Sequence, residues 1–188
     1  MTEIVLASAS PRRREILTLL GVPFEVVVSS FDEDSLTHCD PAQRVRELAI
    51  GKAMEVSLRK AGRLVLGADT VVHIDGQILE KPSDRTHGKA MLERLSGRIH
   101  EVHTGIAIVR DGQVVGSDVV CSHVRFRKLA ESEIEGYLDT GDHRDKAGSY
   151  GIQSSGARLV ESIDGCFYNV AGLPVAATLG LLAIGGIS

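Results

Sequence analysis

The stretch RLVLGADTVVHIDGQILEKP, residues 63–82, predicts a buried strand, a tight turn and a returning strand. Its first part, residues 63–74, is an apolar run rich in valine, leucine and isoleucine, which is typical of a strand inside a sheet. Asp75-Gly76 is a residue pair that two-residue hairpin turns favour. Because residues 77–82 then run back antiparallel, a purely parallel sheet is excluded.

Outward from this hairpin, helical and extended patterns alternate along the chain. Helices are predicted at residues 11–20, 41–60, 84–96 and 131–140 and after Pro174. The buried stripe of the second helix is predicted to contain Val45, Leu48, Ala49, Ala53 and Val56. Further strands are predicted at residues 3–7, 22–30 and 99–127, with a hairpin at residues 158–170. The expected fold class is α/β, with a mixed, partly antiparallel, twisted sheet flanked by helices.

The composition is that of an ordinary globular chain. Its 188 residues are 43% hydrophobic and 24% charged, and this length predicts one domain over residues 1–188. A net charge of −4 argues against a nucleic-acid-binding protein, which usually carries a basic face. The sequence has no run of about 18 apolar residues, so no membrane span is expected.

The cysteines and the first residues indicate the cytoplasm. Residues 1–10 lack the charged and apolar regions of a signal peptide. Cys39, Cys121 and Cys166 are odd in number, far apart and without a CxxC pair. This pattern predicts reduced, buried thiols rather than a disulfide framework.

Asp69 is the most informative carboxylate because it interrupts an apolar strand. A buried carboxylate is costly unless it is paired or binds a metal ion. Alternation along the strand places Gly67 and Asp69 on one face and Thr70 on the other. A structural ion pair would satisfy the carboxylate, but Gly67 is expected to leave space for a ligand in front of it. This space favours a functional role.

The stretch LASASPRRREIL, residues 6–17, places three arginines at the start of a predicted helix that Ser10 can cap. A helix N-terminus already carries a positive partial charge, so Arg12, Arg13 and Arg14 are unusual there. Two interpretations stay open. The arginines fan out into solvent at about 100° per residue, or they converge on an anion bound at the helix N-terminus.

Five further positions carry weaker signals. Glu33 lies in an acidic loop, Lys52 lies on a predicted helix, and Lys81 precedes a proline at the end of a strand. Lys146 and Gln153 bracket a glycine-rich loop whose backbone can approach a ligand closely. Each residue alone has a structural or surface explanation. Together, several cations, at least two carboxylates and a helix N-terminus predict a metal-assisted polyphosphate site.

Other familiar motifs are absent from the sequence. Gly51-Lys52 and Gly88-Lys89 lack the GxxxxGK[ST] frame of a P-loop. His100 and His103 form an HxxH, but an odd spacing on a strand points the two rings to opposite faces. A metal ion shared by these two histidines is therefore not expected. No GxSxG and no Cys–His arrangement indicates acyl transfer.

The chain resembles the Maf-like nucleoside triphosphate pyrophosphatases from about Val5 to Pro174. The motifs that carry the resemblance, in the family's order and spacing, are LASASPRRREIL, GADTVV, LEKP, DKAGSYGIQ and FYNVAGLP. The resemblance implies two lobes around a deep cleft, as in inosine triphosphatase-like folds. It also implies a cytoplasmic enzyme that uses Mg²⁺ or Mn²⁺ to release pyrophosphate from a nucleoside triphosphate. Members are often dimeric, which makes a homodimer an option.

The resemblance assigns catalytic and phosphate-binding roles residue by residue. The residues assigned to catalysis are Arg13, Glu33, Lys52, Asp69 and Lys81. Glu33 and Asp69 form the acidic pair for metal and water, with Asp69 as the general base. The three cations bind phosphate together with Ser8. Removal of the Arg13 side chain is then expected to weaken nucleotide binding without destabilising the free protein.

Base choice is assigned by the same resemblance to Arg12, Thr70 and Gln153, where the family's subgroups differ. Arg, Thr and Gln at these positions are similar to the subgroup that acts on dTTP and UTP. The subgroup that acts on 7-methyl-GTP has Trp, Gln and Glu there. The chain departs from the family pattern at Ala130 and at His143-Arg144, but neither departure touches an assigned site residue.

Two functions from different classes follow from these residues. The first is hydrolysis of dTTP and UTP, or of modified pyrimidine nucleotides, by direct attack of water on the α-phosphorus. The alternative, which the family also suggests, is a nucleotide-binding regulator of cell division without significant turnover. Release of pyrophosphate from dTTP with Mg²⁺ distinguishes the enzyme from the regulator.

Overall fold

Seven strands form one sheet flanked by six helices within residues 4–36 and 40–187, which the computed structural model describes. The strands are β1 (Ile4–Leu6), β2 (Phe24–Val26), β3 (Val65–Ile74), β4 (Gln77–Leu79), β5 (Ile99–Arg110), β6 (Gln113–Phe126) and β7 (Val160–Asp164). The helices are α1 (Pro11–Leu19), α2 (Pro41–Arg59), α3 (Arg85–Leu95), α4 (Glu131–Asp139), α5 (Phe167–Ala171) and α6 (Val175–Ile184). In this described part of the chain, no helix has the length and apolar character needed to cross a membrane.

The sheet is mixed because its strands on one side run parallel and the others antiparallel. The order is β2-β1-β3-β5-β6-β7, with β4 also paired to β3. β1 is parallel to β2 and β3, whereas the pairs β3–β5, β5–β6 and β6–β7 are antiparallel. At the two tight turns, Asp75 and Asp111 have φ angles of 53° and 49° before glycine. The predicted α/β class with a mixed sheet is confirmed.

One edge of β3 is unpaired in the middle of the strand. Val65 and Leu66 pair with β1 at its start, and residues 72–74 pair with β4 along the same edge. Within the described ranges, no strand pairs with residues 67–71 on that side, because β1 ends at Leu6. The sheet therefore has an opening at which side chains from both of its faces are accessible.

Helix α2 packs on one face of the sheet at two glycines. A Cβ atom on Gly67 would lie 2.2 Å from the carbonyl oxygen of Ala49, and one on Gly105 would lie 2.2 Å from that of Val45. The helix backbone thus lies directly against β3 and β5. The expectation that Gly67 leaves space for a ligand is wrong, because the helix fills that space. The predicted buried stripe is confirmed, with exposures between 0% and 2% for Val45, Leu48, Ala49, Ala53 and Val56.

Three apolar clusters form the core around the sheet. One includes Leu92 of α3 and Tyr137 of α4, a second includes residues of α1 and α6, and a third lies beneath α2. His100 is buried in the first region, where its Nε2 lies 2.8 Å from the hydroxyl of Tyr150. Burial lowers the pKa of His100 to about 4, so its ring is neutral near pH 7. This histidine is a structural residue.

The predicted hairpin at residues 158–170 is wrong. β7 pairs with β6, but the chain then enters the short helix α5 instead of a returning strand. The reason is a contact between distant residues: the buried Asn169 amide donates to the carbonyl of Val102 and the hydroxyl of Ser122, each 2.9 Å away. Gly172, with a φ of 108°, then ends the helix in the left-handed region.

The prediction of buried thiols is wrong for the two cysteines that the structure describes. Cys121 is exposed and Cys166 is half-buried. In β6, Cys121 alternates with the buried Ser122 and therefore lies on the outward face of the strand. Cys39 lies outside the described residues.

Replacement of Gly67 by alanine is expected to destabilise the protein, because the new methyl group meets helix backbone rather than a flexible side chain. Overpacking of this kind costs about 1–3 kcal/mol. Gly136→Ala is the matched control, since no atom lies within 4 Å of a Cβ placed at this position of α4. Alanine at position 136 is expected to raise the free energy of unfolding by about 0.5–1 kcal/mol. Urea unfolding measures both changes, and an unaltered stability of the Gly67 variant contradicts the close approach of α2.

Candidate active site

A cleft of about 640 Å³ opens at the unpaired edge of β3. The predicted site residues that line it are Ser8, Arg12, Arg13, Glu33, Lys52, Asp69, Thr70 and Lys81. Gln153 is not among its lining residues and is exposed, although the neighbouring Ile152 contributes to the wall. The fold therefore brings together in one cleft all the predicted site residues except Gln153.

Lys52 joins the two predicted acidic residues in the cleft. Its Nζ lies 2.6 Å from Oδ1 of Asp69 and 3.0 Å from Oε2 of Glu33. Asp69 is only 8% exposed, so this ion pair supplies the partner that its burial requires. One ammonium between two carboxylates leaves a net negative charge on the group. The two carboxylates can therefore bind a cation in addition to the ammonium group of Lys52.

Arg13 lines the cleft and is held in place by three hydrogen bonds. Its Nε donates to the carbonyl of Gly172 at 2.8 Å, while its two terminal nitrogens donate to the hydroxyls of Ser8 and Thr70, each at 3.1 Å. Burial lowers the pKa of this guanidinium, and the negative charge of Asp69 opposes that shift. Arginine nevertheless stays charged in proteins. Its partners are neutral, so its positive charge remains available to an anion.

The three arginines at the start of α1 have different surroundings. Arg13 is held in the wall, Arg12 lies 3.5 Å from a carboxylate oxygen of Asp145, and Arg14 is exposed outside the cleft. Ser10 caps the helix by accepting from the backbone N–H of Arg13, as predicted. Because successive side chains point in different directions around the helix, two of the three arginines lie in the cleft and the third lies in solvent.

Most cations in the cleft already have a carboxylate partner. The pairs are Arg12–Asp145, Arg44–Glu80, Lys52–Asp69 and Lys146–Asp142. Among the residues that the structure describes, the lining cations without such a partner are Arg13 and Lys81. These two supply the local positive charge that an anionic substrate needs in a protein of net charge −4.

The sequence profile of the family described as Maf-like protein matches residues 3–184. The chain belongs to the Maf family. This match covers the cleft residues and confirms the resemblance that the motifs indicate.

Two curated relatives cover nearly the whole Maf chain. A dTTP/UTP pyrophosphatase of Symbiobacterium thermophilum is 48% identical over 183 residues, which are 97% of this chain and 93% of that protein. A dTTP/UTP pyrophosphatase of Moorella thermoacetica is 47% identical over 188 residues, with coverage of 100% and 97%. A solved nucleoside-triphosphatase (dITP/XTP pyrophosphatase) of Mycobacterium abscessus is 17% identical, covers 68% of this chain and 76% of its own, and has a TM-score of 0.44.

Behind the cleft, the Maf chain has a buried polar network that the sequence does not indicate. The hydroxyl of Thr70 lies 2.9 Å from that of Thr104, which lies 3.0 Å from the carbonyl oxygen of Asn169. Asn169 in turn binds Ser122. Threonine within a strand is common, so these residues carry no signal until the register of the strands is known. The network connects α5 to the strand that carries Asp69.

Several charged residues of the cleft are not predicted from the sequence. Arg44 of α2 forms an ion pair with Glu80, and Asp145 binds both Arg12 and Lys146. Glu80 and Asp145 lie inside the quoted motifs LEKP and DKAGSYGIQ, which could have identified them. Arg44 has no such signal, because a single arginine on a helix is usually a solvated surface residue.

Arg13→Ala is expected to lower both nucleotide turnover and stability. These contacts predict a less stable variant, in contrast to the unaffected free protein expected from the sequence, since the substitution removes one hydrogen-bond donor from each of the hydroxyls of Ser8 and Thr70, at a cost of about 1–3 kcal/mol. Arg14→Ala, on the exposed side of the same helix turn, is the control and is expected to change neither property. Urea unfolding and pyrophosphate release from dTTP measure the two effects. Identical behaviour of the two variants excludes a role for Arg13 in the site.

Proposed function

We propose that this Maf protein hydrolyses dTTP and UTP to the nucleoside monophosphate and pyrophosphate. The observation that carries the proposal is the pairing, in one cleft, of the Lys52–Asp69–Glu33 group with Arg13, a cation that has only neutral hydrogen-bond partners. Asp69 and Thr70 are neighbours in β3, so the acidic group and the arginine meet at one strand edge. A polyphosphate there contacts both. The names of the two relatives that are 48% and 47% identical support a pyrimidine substrate.

Glu33 and Asp69 are the residues that would hold a divalent cation, Mg²⁺ or Mn²⁺. Carboxylate oxygens are the ligands that these ions prefer. The two carboxylates also keep a net negative charge after Lys52 is counted, so the donor set fits such an ion. When bound, the cation neutralises charge on the phosphate oxygens.

The chain's own residues perform the proton transfer and stabilise the leaving group. Lys52 donates to Oδ1 of Asp69, and this carboxylate accepts the proton of the water that attacks the α-phosphorus. A bond forms between the water oxygen and the α-phosphorus, and the bond from that phosphorus to the bridging oxygen breaks. Arg13 and Lys81 stabilise the negative charge that develops on the departing pyrophosphate. No covalent intermediate is required.

We assign the choice of base to Arg12, Thr70 and Gln153. Phosphate contacts are common to all nucleoside triphosphates and cannot select a base. A glutamine amide offers both a donor and an acceptor, which match the N3–H and carbonyl groups of uracil and thymine. A guanidinium can donate to a carbonyl oxygen or stack on the ring. Because Gln153 is exposed beside the lining residue Ile152, we place its contact with the base at the mouth of the cleft.

A cytoplasmic location, a homodimer and a single domain over residues 1–188 stay predictions from the sequence. The proposed chemistry depends on none of them, since every residue assigned to it belongs to one chain.

Incubation of the protein with dTTP and Mg²⁺ is expected to release pyrophosphate. Asp69→Asn is expected to lower turnover by about 10²-fold or more, because asparagine keeps the size of the side chain but cannot accept the proton. Binding of dTTP should change much less. Asp118→Asn, which alters an exposed carboxylate of β6, is the control and should retain full turnover. Binding of dTTP without pyrophosphate release supports the regulator instead, and near-normal turnover of the Asp69 variant removes this residue from the mechanism.

Values of kcat/KM for dTTP and UTP are expected to exceed those for CTP and for purine nucleotides at least about tenfold. An unmatched base edge leaves unpaired those polar groups that the bound base covers, at about 1–3 kcal/mol each. Gln153→Ala should reduce the discrimination against CTP, whereas Gln113→Ala, an exposed glutamine at the start of β6, should not. A preference of the unmodified enzyme for GTP over UTP contradicts the subgroup assignment.

A further inference from the structure

A cluster of metal-ligating side chains lies on β3 and β5 outside the cleft. Nδ1 of His73 and Nε2 of His103 lie 2.9 Å and 3.0 Å from the same oxygen, Oε2 of Glu101. One ligand atom from each of the three residues lies within 4.8 Å of the others. We refer to His73, Glu101 and His103 as the outer cluster.

The register of the sheet brings these three side chains to one face. His73 pairs with Glu101 directly across β3 and β5, and Val71 pairs with His103. Because side chains alternate along a strand, residues 71 and 73 of β3 share a face with residues 101 and 103 of β5. His73 is also paired with β4. The ligand atoms are therefore positioned by strand backbones and not by a loop.

Two further donors on β6 border the outer cluster. Cys121 pairs with His103 across the sheet, and its Sγ lies 3.7 Å from Nε2 of that histidine. His123 pairs with Glu101, and its Nε2 lies 3.8 Å from Oε1 of the carboxylate. Three neighbouring strands thus present nitrogen, oxygen and sulfur donors around one carboxylate.

The outer cluster is separate from the candidate active site. His73 follows Asp69 by four residues on the same face of β3, which corresponds to about 13 Å along a strand. None of the three residues of the outer cluster lines the cleft. The side chains of the cleft do not compete for the same ion.

We propose that the outer cluster binds one transition-metal ion of the Zn²⁺ class, with Cys121 as the fourth ligand. Two imidazoles, a carboxylate and a thiolate form a donor set of the type that tetrahedral Zn²⁺ uses. Imidazole and thiolate select against Mg²⁺, which prefers oxygen ligands, so this site differs in its chemistry from the one proposed in the cleft. On binding, the thiol proton of Cys121 passes to solvent. The proposal goes beyond nucleotide hydrolysis and does not depend on it.

The test is a titration of the untagged protein with Zn²⁺ alone, in competition with a chromogenic chelator. His73→Gln and His103→Gln are each expected to weaken Zn²⁺ binding at least about tenfold. Two controls are expected to keep the affinity: Asp69→Asn, which removes a carboxylate of the cleft, and His87→Gln, which alters an exposed histidine of α3. Affinity that falls with Asp69→Asn and not with His73→Gln places the ion in the cleft and overturns the proposal.

A second measurement begins with the Co²⁺ spectrum of the unmodified chain, and this first result does not depend on the folding of a variant. Co²⁺ is expected to give the visible absorption of a tetrahedral complex together with a thiolate charge-transfer band. Cys121→Ser should remove that band, whereas Cys166→Ser should leave it in place. Bound Zn²⁺ should also raise Tm, since it joins β3, β5 and β6. Absence of the tetrahedral spectrum overturns the site, and an unchanged band in the Cys121 variant overturns the role of that thiol.

Discussion

The contact of α2 with the sheet at Gly67 and Gly105 is the constraint on which the rest of the structure depends. Only with hydrogen in place of a side chain can the helix backbone lie against β3 and β5. Lys52 on that helix then reaches Asp69, two residues beyond Gly67, at 2.6 Å. A helix displaced outward would withdraw the ammonium from a buried carboxylate, which is costly to leave alone. Packing of the core and neutralisation of the site therefore depend on the same two glycines.

The cleft exists because β1 is shorter than the strand it accompanies. Adjacent residues of a strand point to opposite faces of a sheet, so Asp69 and Thr70 would ordinarily lie in separate environments. Along the unpaired stretch of β3, both side chains reach the same opening. The acidic group that α2 supports on one face and Arg13, held against Thr70 on the other, are thereby combined in one site.

Features encoded within a few residues could be predicted from the sequence, and features that depend on distant partners could not. The hairpin of residues 63–82 and the cap at Ser10 are local, and both are present. The space expected in front of Gly67 is filled by α2, a neighbour that is specified elsewhere in the chain. The local sequence of α5 predicts a strand, because the contacts of Asn169 that hold the helix lie on β5 and β6. Likewise, the outer cluster becomes visible only when the register of β3 against β5 is known.

The hydrogen bond between Arg13 and Thr70 limits how this enzyme can evolve a new substrate. The hydroxyl of Thr70 supports Arg13 at 3.1 Å and is itself held by Thr104 at 2.9 Å. Thr70, which is proposed to influence base preference, therefore also supports Arg13, which is proposed to bind phosphate. From these two proposed roles, a substitution at Thr70 is expected to alter affinity for every nucleotide at the same time, so its effect on fitness would depend on whether a compensating change is already present. Substrate divergence at this position is then expected to be epistatic, with the order in which mutations accumulate deciding which specificities the lineage can reach.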